Sequence, residues 1–202
     1  MTTALPFALR AAVGVLLAAA GLTAHAADFT LSGNITNHND VVRITFDVAA
    51  GGSDVTLFTD SWQGGLNFDP AVVLWSKTGN DWTRVTENDD ADPAIGNSGY
   101  FDAGLALPQP AAGRYMLTLV ASSNDANGEL LSQGFTYDAE APIAIGQWNQ
   151  PTYDPNANDQ KGSFWRVQFS GVQNVSAVPE PSTWLLMALG AAALVPAARR
   201  RR

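Results

Sequence analysis

Val41–Ala49 reads VVRITFDVA, and its alternation decides how the chain is to be folded. Val42, Ile44, Phe46 and Val48 fall on one side, Arg43, Thr45 and Asp47 on the other. Successive side chains of a strand point to opposite faces, so this is a strand with one buried face. The period recurs in RYMLTLVAS (114–122), with Tyr115, Leu117 and Leu119 on one side, and in FWRVQFSGV (164–172), with Trp165, Val167 and Phe169. FTLSGNIT (29–36), DVTLFTDSW (54–62), PAVVLWSK (70–77), DWTRVTE (81–87) and GYFDAGLAL (99–107) bring the expected strands to about eight. Between them stand AAGGSD, KTGND and LPQPAAG, rich in turn formers. No segment in this region has the period of an amphipathic helix. Short strands divided by turn chemistry argue for an all-β fold, an antiparallel β-sandwich, with a closed barrel as the alternative.

The flanks follow other rules. Residues 1–26 carry one arginine, Arg10, then an apolar stretch from Ala11 to Leu22, then Ala24-His25-Ala26. That order is the mark of a secretory signal peptide cut after Ala26. The remaining domain, 27–176, has enough chain for one real core. It has no cysteine, which removes thiolate metal sites and cysteine nucleophiles. Across 27–176 eighteen acids, from Asp28 to Asp159, face six bases (Arg43, Lys77, Arg84, Arg114, Lys161 and Arg166), so this region is more acidic than the whole-chain charge of -8. A field of that sign repels phosphate and excludes nucleic acid as the expected partner.

The other flank, 177–202, reads AVPEPSTWLLMALGAAALVPAARRRR. Trp184 to Ala198 forms, as a helix, a transmembrane segment of roughly 22 Å at 1.5 Å per residue. That is short of a hydrocarbon core of about 30 Å. Arg199, Arg200, Arg201 and Arg202 hold its end on the cytoplasmic side and leave the domain outside. Pro179 and Pro181, flanking Glu180, keep the preceding stretch extended and outside the helix.

These three parts together resemble the PEP-CTERM sorting signal of Gram-negative bacteria. The resemblance implies an exported protein, transiently anchored in the inner membrane by its tail, then processed by an exosortase, a membrane-embedded transpeptidase-like enzyme, in organisms that make extracellular polysaccharide. A permanent single-span anchor is the alternative. Phe68–Val120, with an Asp-Pro before a strand, paired aspartates after the next, and AG-Y-L-L, is also similar to the bacterial pre-peptidase C-terminal (PPC) domains and to PEP-CTERM proteins of the same layout. That second resemblance implies a jelly-roll-like sandwich with no catalytic residues.

Chemistry is sought first among the acids. ENDDADP places Glu87, Asp89, Asp90 and Asp92 within six residues, an oxygen-rich loop of the kind calcium prefers. The EF-hand spacing is absent, so Asp89, Asp90 and Asp92 stand as candidate calcium ligands against a solvated acidic loop. YDPNANDQKG (153–162) and ASSNDANGE (121–129) offer similar residues and read as turns. The domain's one histidine, His38, lies in a polar turn and is expected at the surface. No G-x-S-x-G elbow accompanies it, which leaves a Ser-His-Asp triad without support. Glycoside hydrolysis needs two carboxyls across a cleft, and an acid-rich chain supplies pairs by chance.

The tryptophans suggest a binding module instead. Trp165 belongs to its strand's apolar face, and Trp75 shares with Val73 a face opposite Val72 and Leu74, so that one of the two faces is expected to be less buried. Trp62 in DSWQGG and Trp148 in GQWNQP lie among turn residues, as exposed aromatics for stacking on sugar or as plugs under a loop. Two functions follow. One is a noncatalytic surface or extracellular-matrix protein associated with exopolysaccharide and biofilm. The other is a carbohydrate-binding module, calcium-dependent in one form, with Trp62 and Trp148 at its sugar site.

Overall fold

The computed structural model describes residues 27–91, 95–151 and 161–179. The signal peptide and the membrane helix expected from the sequence lie outside those residues. Within them the alternating stretches form β1 (Ala27–Asn34), β2 (Val42–Val48), β3 (Val55–Thr59), β4 (Pro70–Thr78), β5 (Asp81–Asn88), β6 (Gly104–Leu107), β7 (Gly113–Ala121) and β8 (Phe164–Val178). The only helical turns among the described residues are two 3-10 turns, Leu131–Gln133 and Ile145–Gln147.

All strand pairs are antiparallel. One sheet runs β1-β8-β3-β6 and the other β5-β4-β7-β2. That is the strand order of an eight-stranded jelly roll, two Greek keys folded on each other. Every connection between consecutive strands changes sheet except the β4–β5 hairpin, and β8 itself joins both sheets.

β8 makes that junction by changing partners. Residues 164–172 lie between β1 and β3, and residues 173–178 continue along β2, with Asp47 opposite Gln173 and Arg43 opposite Val178. The change of course falls at Gly171, φ 78°, and Asn174, φ 53°. A side chain at Gly171 would strike the Asp54 carbonyl oxygen, so only glycine fits the bend. Joined in this way, the sandwich is nearly closed along one side into a barrel-like shape.

Between the sheets lies the main core. Phe46, Leu57, Leu117, Val167 and Phe169 are all at most 2% exposed, and the alternation seen in β2, β7 and β8 is the alternation of this interior. A second cluster sits on the outer face of β4 and β7, where Val73, Trp75, Met116 and Val120 meet Phe135. Phe135 comes from the long β7–β8 connection, which folds back over the sheet and pairs with β5 at Thr83 and Leu130. Neither face of β4 is therefore the less buried one expected from the sequence: Trp75 is fully buried, and its indole N–H donates to Thr118 Oγ1 at 2.9 Å. A strand covered on both sides reads as a continuous apolar run, which is what PAVVLW is.

Candidate functional site

Jelly-roll topology gathers the sequence's candidate residues at one end. Asn34 pairs with Phe164, Pro70 with Ala121, Val72 with Asn88 and Thr59 with Val167. The connections 35–41, 60–69, 89–103 and 122–163 consequently open at the same end of the sandwich. His38, Trp62, Asp89, Asp90 and Trp148 all lie on them. Asp92 lies outside the described residues, as do Glu180, Pro181 and the four arginines of the tail.

A buried carboxylate fixes Trp62. Asp102, 1% exposed, accepts through Oδ1 from the Thr59 hydroxyl (2.8 Å) and from the backbone N–H groups of Ser61 (2.9 Å) and Trp62 (3.0 Å). Its Oδ2 accepts from Gly99 N–H at 2.8 Å, and Ala103 N–H donates to Thr59 Oγ1 at 3.0 Å. Two loops are locked together by these bonds. The half-buried Trp62 ring then packs edge-on against Phe101, with centroids 5.3 Å apart, and against Gly99, where a Cβ would sit 2.8 Å from the indole.

Trp148 is held by a different group. His38 is fully buried, not at the surface, because Tyr137 and Trp148 close over it with ring centroids 5.3 and 5.1 Å away. Its Nδ1 accepts from Ile143 N–H (3.2 Å), so the ring proton belongs on Nε2, 3.3 Å from Glu140 Oε2. The partners come from about a hundred residues away, and nothing local in NHND announces them. Trp148, half-buried, packs against the main core. Trp62 and Trp148 thus occupy separate aromatic groups, each engaged by its own loop.

Asp89 and Asp90 are exposed. Both carboxyls are pushed above the ordinary aspartate range, Asp89 by desolvation first and then by repulsion from Asp90 and Asp125, Asp90 by desolvation. Asp89 shares a hollow with Val120, Asp125 and Ala126. Among the described residues no three acidic or histidine side chains converge to hold a metal ion.

Sequence reading missed a polar row on the outer face of the β1-β8-β3-β6 sheet. Thr30 Oγ1 donates to Gln168 Oε1 at 2.6 Å, and Gln168 Nε2 donates to Asp60 Oδ2 at 3.1 Å. Arg166 clamps Asp60 through Nε at 2.6 Å and Nη2 at 2.9 Å, and its guanidinium lies 5.9 Å from the centre of the Phe164 ring. The Asp60 bond raises the Arg166 pKa above the ordinary arginine value. The signal was present in FWRVQFSGV, whose outward positions carry large hydrogen-bonding side chains instead of small ones.

The last residues of β8 bear on the tail. Ala177 and Val178 are paired with Ile44 and Arg43, and Pro179 follows, exposed. No curated protein matches the chain. The family model of the PEP-CTERM protein-sorting motif matches residues 177–202, so its first two residues are already part of the sheet. Over residues 177–202 the chain carries a PEP-CTERM protein-sorting motif, which indicates an exported protein sorted by an exosortase.

Proposed function

We propose that this is a noncatalytic jelly-roll protein, anchored in the inner membrane only until an exosortase processes its tail, and then kept at the cell surface within extracellular polysaccharide. The observation that carries the reading is the sorting motif emerging directly from β8, with Pro179 exposed next to a strand held on β2. The domain and its delivery handle are one continuous piece of chain.

The noncatalytic part is supported by how the acids are used. Glu87 and Glu129 both bind Arg84, at 2.9 and 2.5 Å, and Glu140 faces His38. The glutamates of the domain are spent on structure. Calcium at Asp89, Asp90 and Asp92 stays part of the proposal, supported by the repulsion that Asp90 and Asp125 add to desolvation in raising the Asp89 carboxyl, because a divalent cation would relieve that repulsion.

Intact mass and fractionation in a host that has the sorting enzyme test the delivery. The product is expected to lack the residues beyond about Pro181, and Pro179→Ala with Pro181→Ala is expected to leave an uncleaved, membrane-held form. Unaltered protein that keeps its four terminal arginines would replace the reading with a permanent anchor.

A further inference from the structure

The two outer faces of the jelly roll are treated differently. The long connection covers β4 and β7, whereas the face of β1, β8, β3 and β6 presents Thr30, Ser32 and Ser170 to solvent. At one place a loop reaches this face. Gly96, φ 62°, sits so close to Phe58 that any side chain there would strike the ring. Beside that contact a cleft of about 280 Å³ opens, lined by Phe58, Asn97, Asp60, Gln168, Ser170 and Asp28.

The lining has a recognisable chemistry. Gln168 is opposite Thr30 on one side and Phe58 on the other, so hydroxyl, amide and aromatic ring stand in one row across three strands. Side chain to side chain bonds are a minority in folded proteins, and on an open face they return little stability for the rotamer freedom they remove. Here they run in series and leave spare capacity: an N–H on Gln168, and lone pairs on Thr30 and Asp28. Alternating fixed donors and acceptors beside an aromatic ring match the hydroxyls and C–H faces of a sugar.

Charge narrows the choice. Asp60 is matched by Arg166, while Asp28 is exposed, and no lysine or arginine lines the cleft itself. A phosphorylated, sulfated or uronic chain would meet a carboxylate with nothing to offset it. The volume is just under the usual range for ligand pockets, about 300–1,000 Å³, and the cleft is continuous with the polar face. It takes a short stretch of a chain that goes on across the strands.

We infer that this cleft and the Thr30–Gln168–Asp60 row form a subsite for a neutral polysaccharide chain. The inference deepens the matrix-protein reading and rests on it, and it moves the sugar contact from the loop tryptophans to the sheet face. The occupant is an uncharged glycan laid over Phe58 and held by Gln168.

The test uses the processed protein released by its own host, run in native gels containing the host's exopolysaccharide, dextran, a soluble β-glucan or polygalacturonate. Retardation is expected with the host polysaccharide or a neutral glucan and not with polygalacturonate. Gln168→Ala and Thr30→Ala, both exposed or half-exposed on the outer face, are expected to weaken it at least tenfold with melting temperature unchanged. Trp148→Phe is expected to keep it. If the wild type is retarded and the Gln168 and Thr30 variants equally so, the cleft assignment falls while polysaccharide association stands. If no polysaccharide retards the wild type, both fall. Preference for polygalacturonate overturns the neutral class.

Discussion

Asp102 shows how much a single acidic residue can decide in this protein. Buried and accepting four hydrogen bonds, it ties Ser61 and Trp62 of one loop to Gly99 of another. Asp102→Ala leaves those donors without a partner, and a loss of about 3 kcal/mol is expected. In a domain of this size that lowers the melting temperature by roughly 6–12 °C. Asp102→Asn keeps the shape and should cost less, which calorimetry can separate. Asp89 makes the opposite prediction. Its carboxyl titrates above the ordinary value of about 3.9, so the folded state binds this proton more tightly than the unfolded one does. The stabilisation is whole below the ordinary range and is lost as pH rises through the raised value. Asp89→Asn is therefore expected to raise the melting temperature at pH 7, with the gain vanishing below about pH 4. Scans in millimolar calcium and in EDTA add the cation arm: a calcium-dependent rise in the parent, absent in Asp90→Ala, is the outcome expected of a site at Asp89, Asp90 and Asp92.

Among the elements, β8 has the most to do, since it belongs to both sheets. Its fifteen residues pair with β1, β3 and β2 in turn, and the turn from one sheet to the other depends on Gly171. Gly171→Ala adds a Cβ where the Asp54 carbonyl stands and forces a left-handed φ on a residue that resists it. A loss of about 2–4 kcal/mol is expected by denaturant titration. Asn174→Gly, at the neighbouring left-handed position, is expected to change stability by less than about 1 kcal/mol, because glycine accepts φ 53° while only the exposed bond to Asp47 is lost. If the two variants are equally stable, β8 does not depend on a strained bend.

For the whole molecule, the same strand sets the distance between folded domain and sorting handle. Val178 ends β8 beside Arg43, at the start of β2, where connection 35–41 enters. The tail thus leaves from the end that carries the four loops. The five residues 179–183 reach at most roughly 17 Å at about 3.4 Å per residue, which bounds how far from the sandwich an enzyme acting on them can work. A flexible Gly-Ser segment of about six residues inserted between Val178 and Pro179 is expected to speed processing in a pulse-chase experiment, since the motif no longer has to fray from β2 to be gripped. An unchanged rate would mean that Pro179 and its neighbours are reached without any fraying.

Period-two alternation in VVRITFDVA, RYMLTLVAS and FWRVQFSGV determined three strands and their inner faces, and turn chemistry between short apolar stretches supplied the other five and the sandwich class, because burial of one face is written locally in an alternating strand. The proline-flanked glutamate, the apolar run and the arginines likewise determined the sorting motif without any fold, since such a motif is read as chain. Tertiary structure decided the rest. His38 is buried because Tyr137, Ile143 and Trp148 arrive from a loop a hundred residues away, and Trp75 is covered on its outer side because Phe135 folds back over β4. Trp62 and Trp148 are packed into separate aromatic groups, while the polar row of Thr30, Gln168, Asp60 and Arg166 exists only once β1, β3 and β8 lie side by side. Contacts of that range depend on strand order, and strand order is fixed by the joint burial of two sheets, which no single stretch of the sequence encodes.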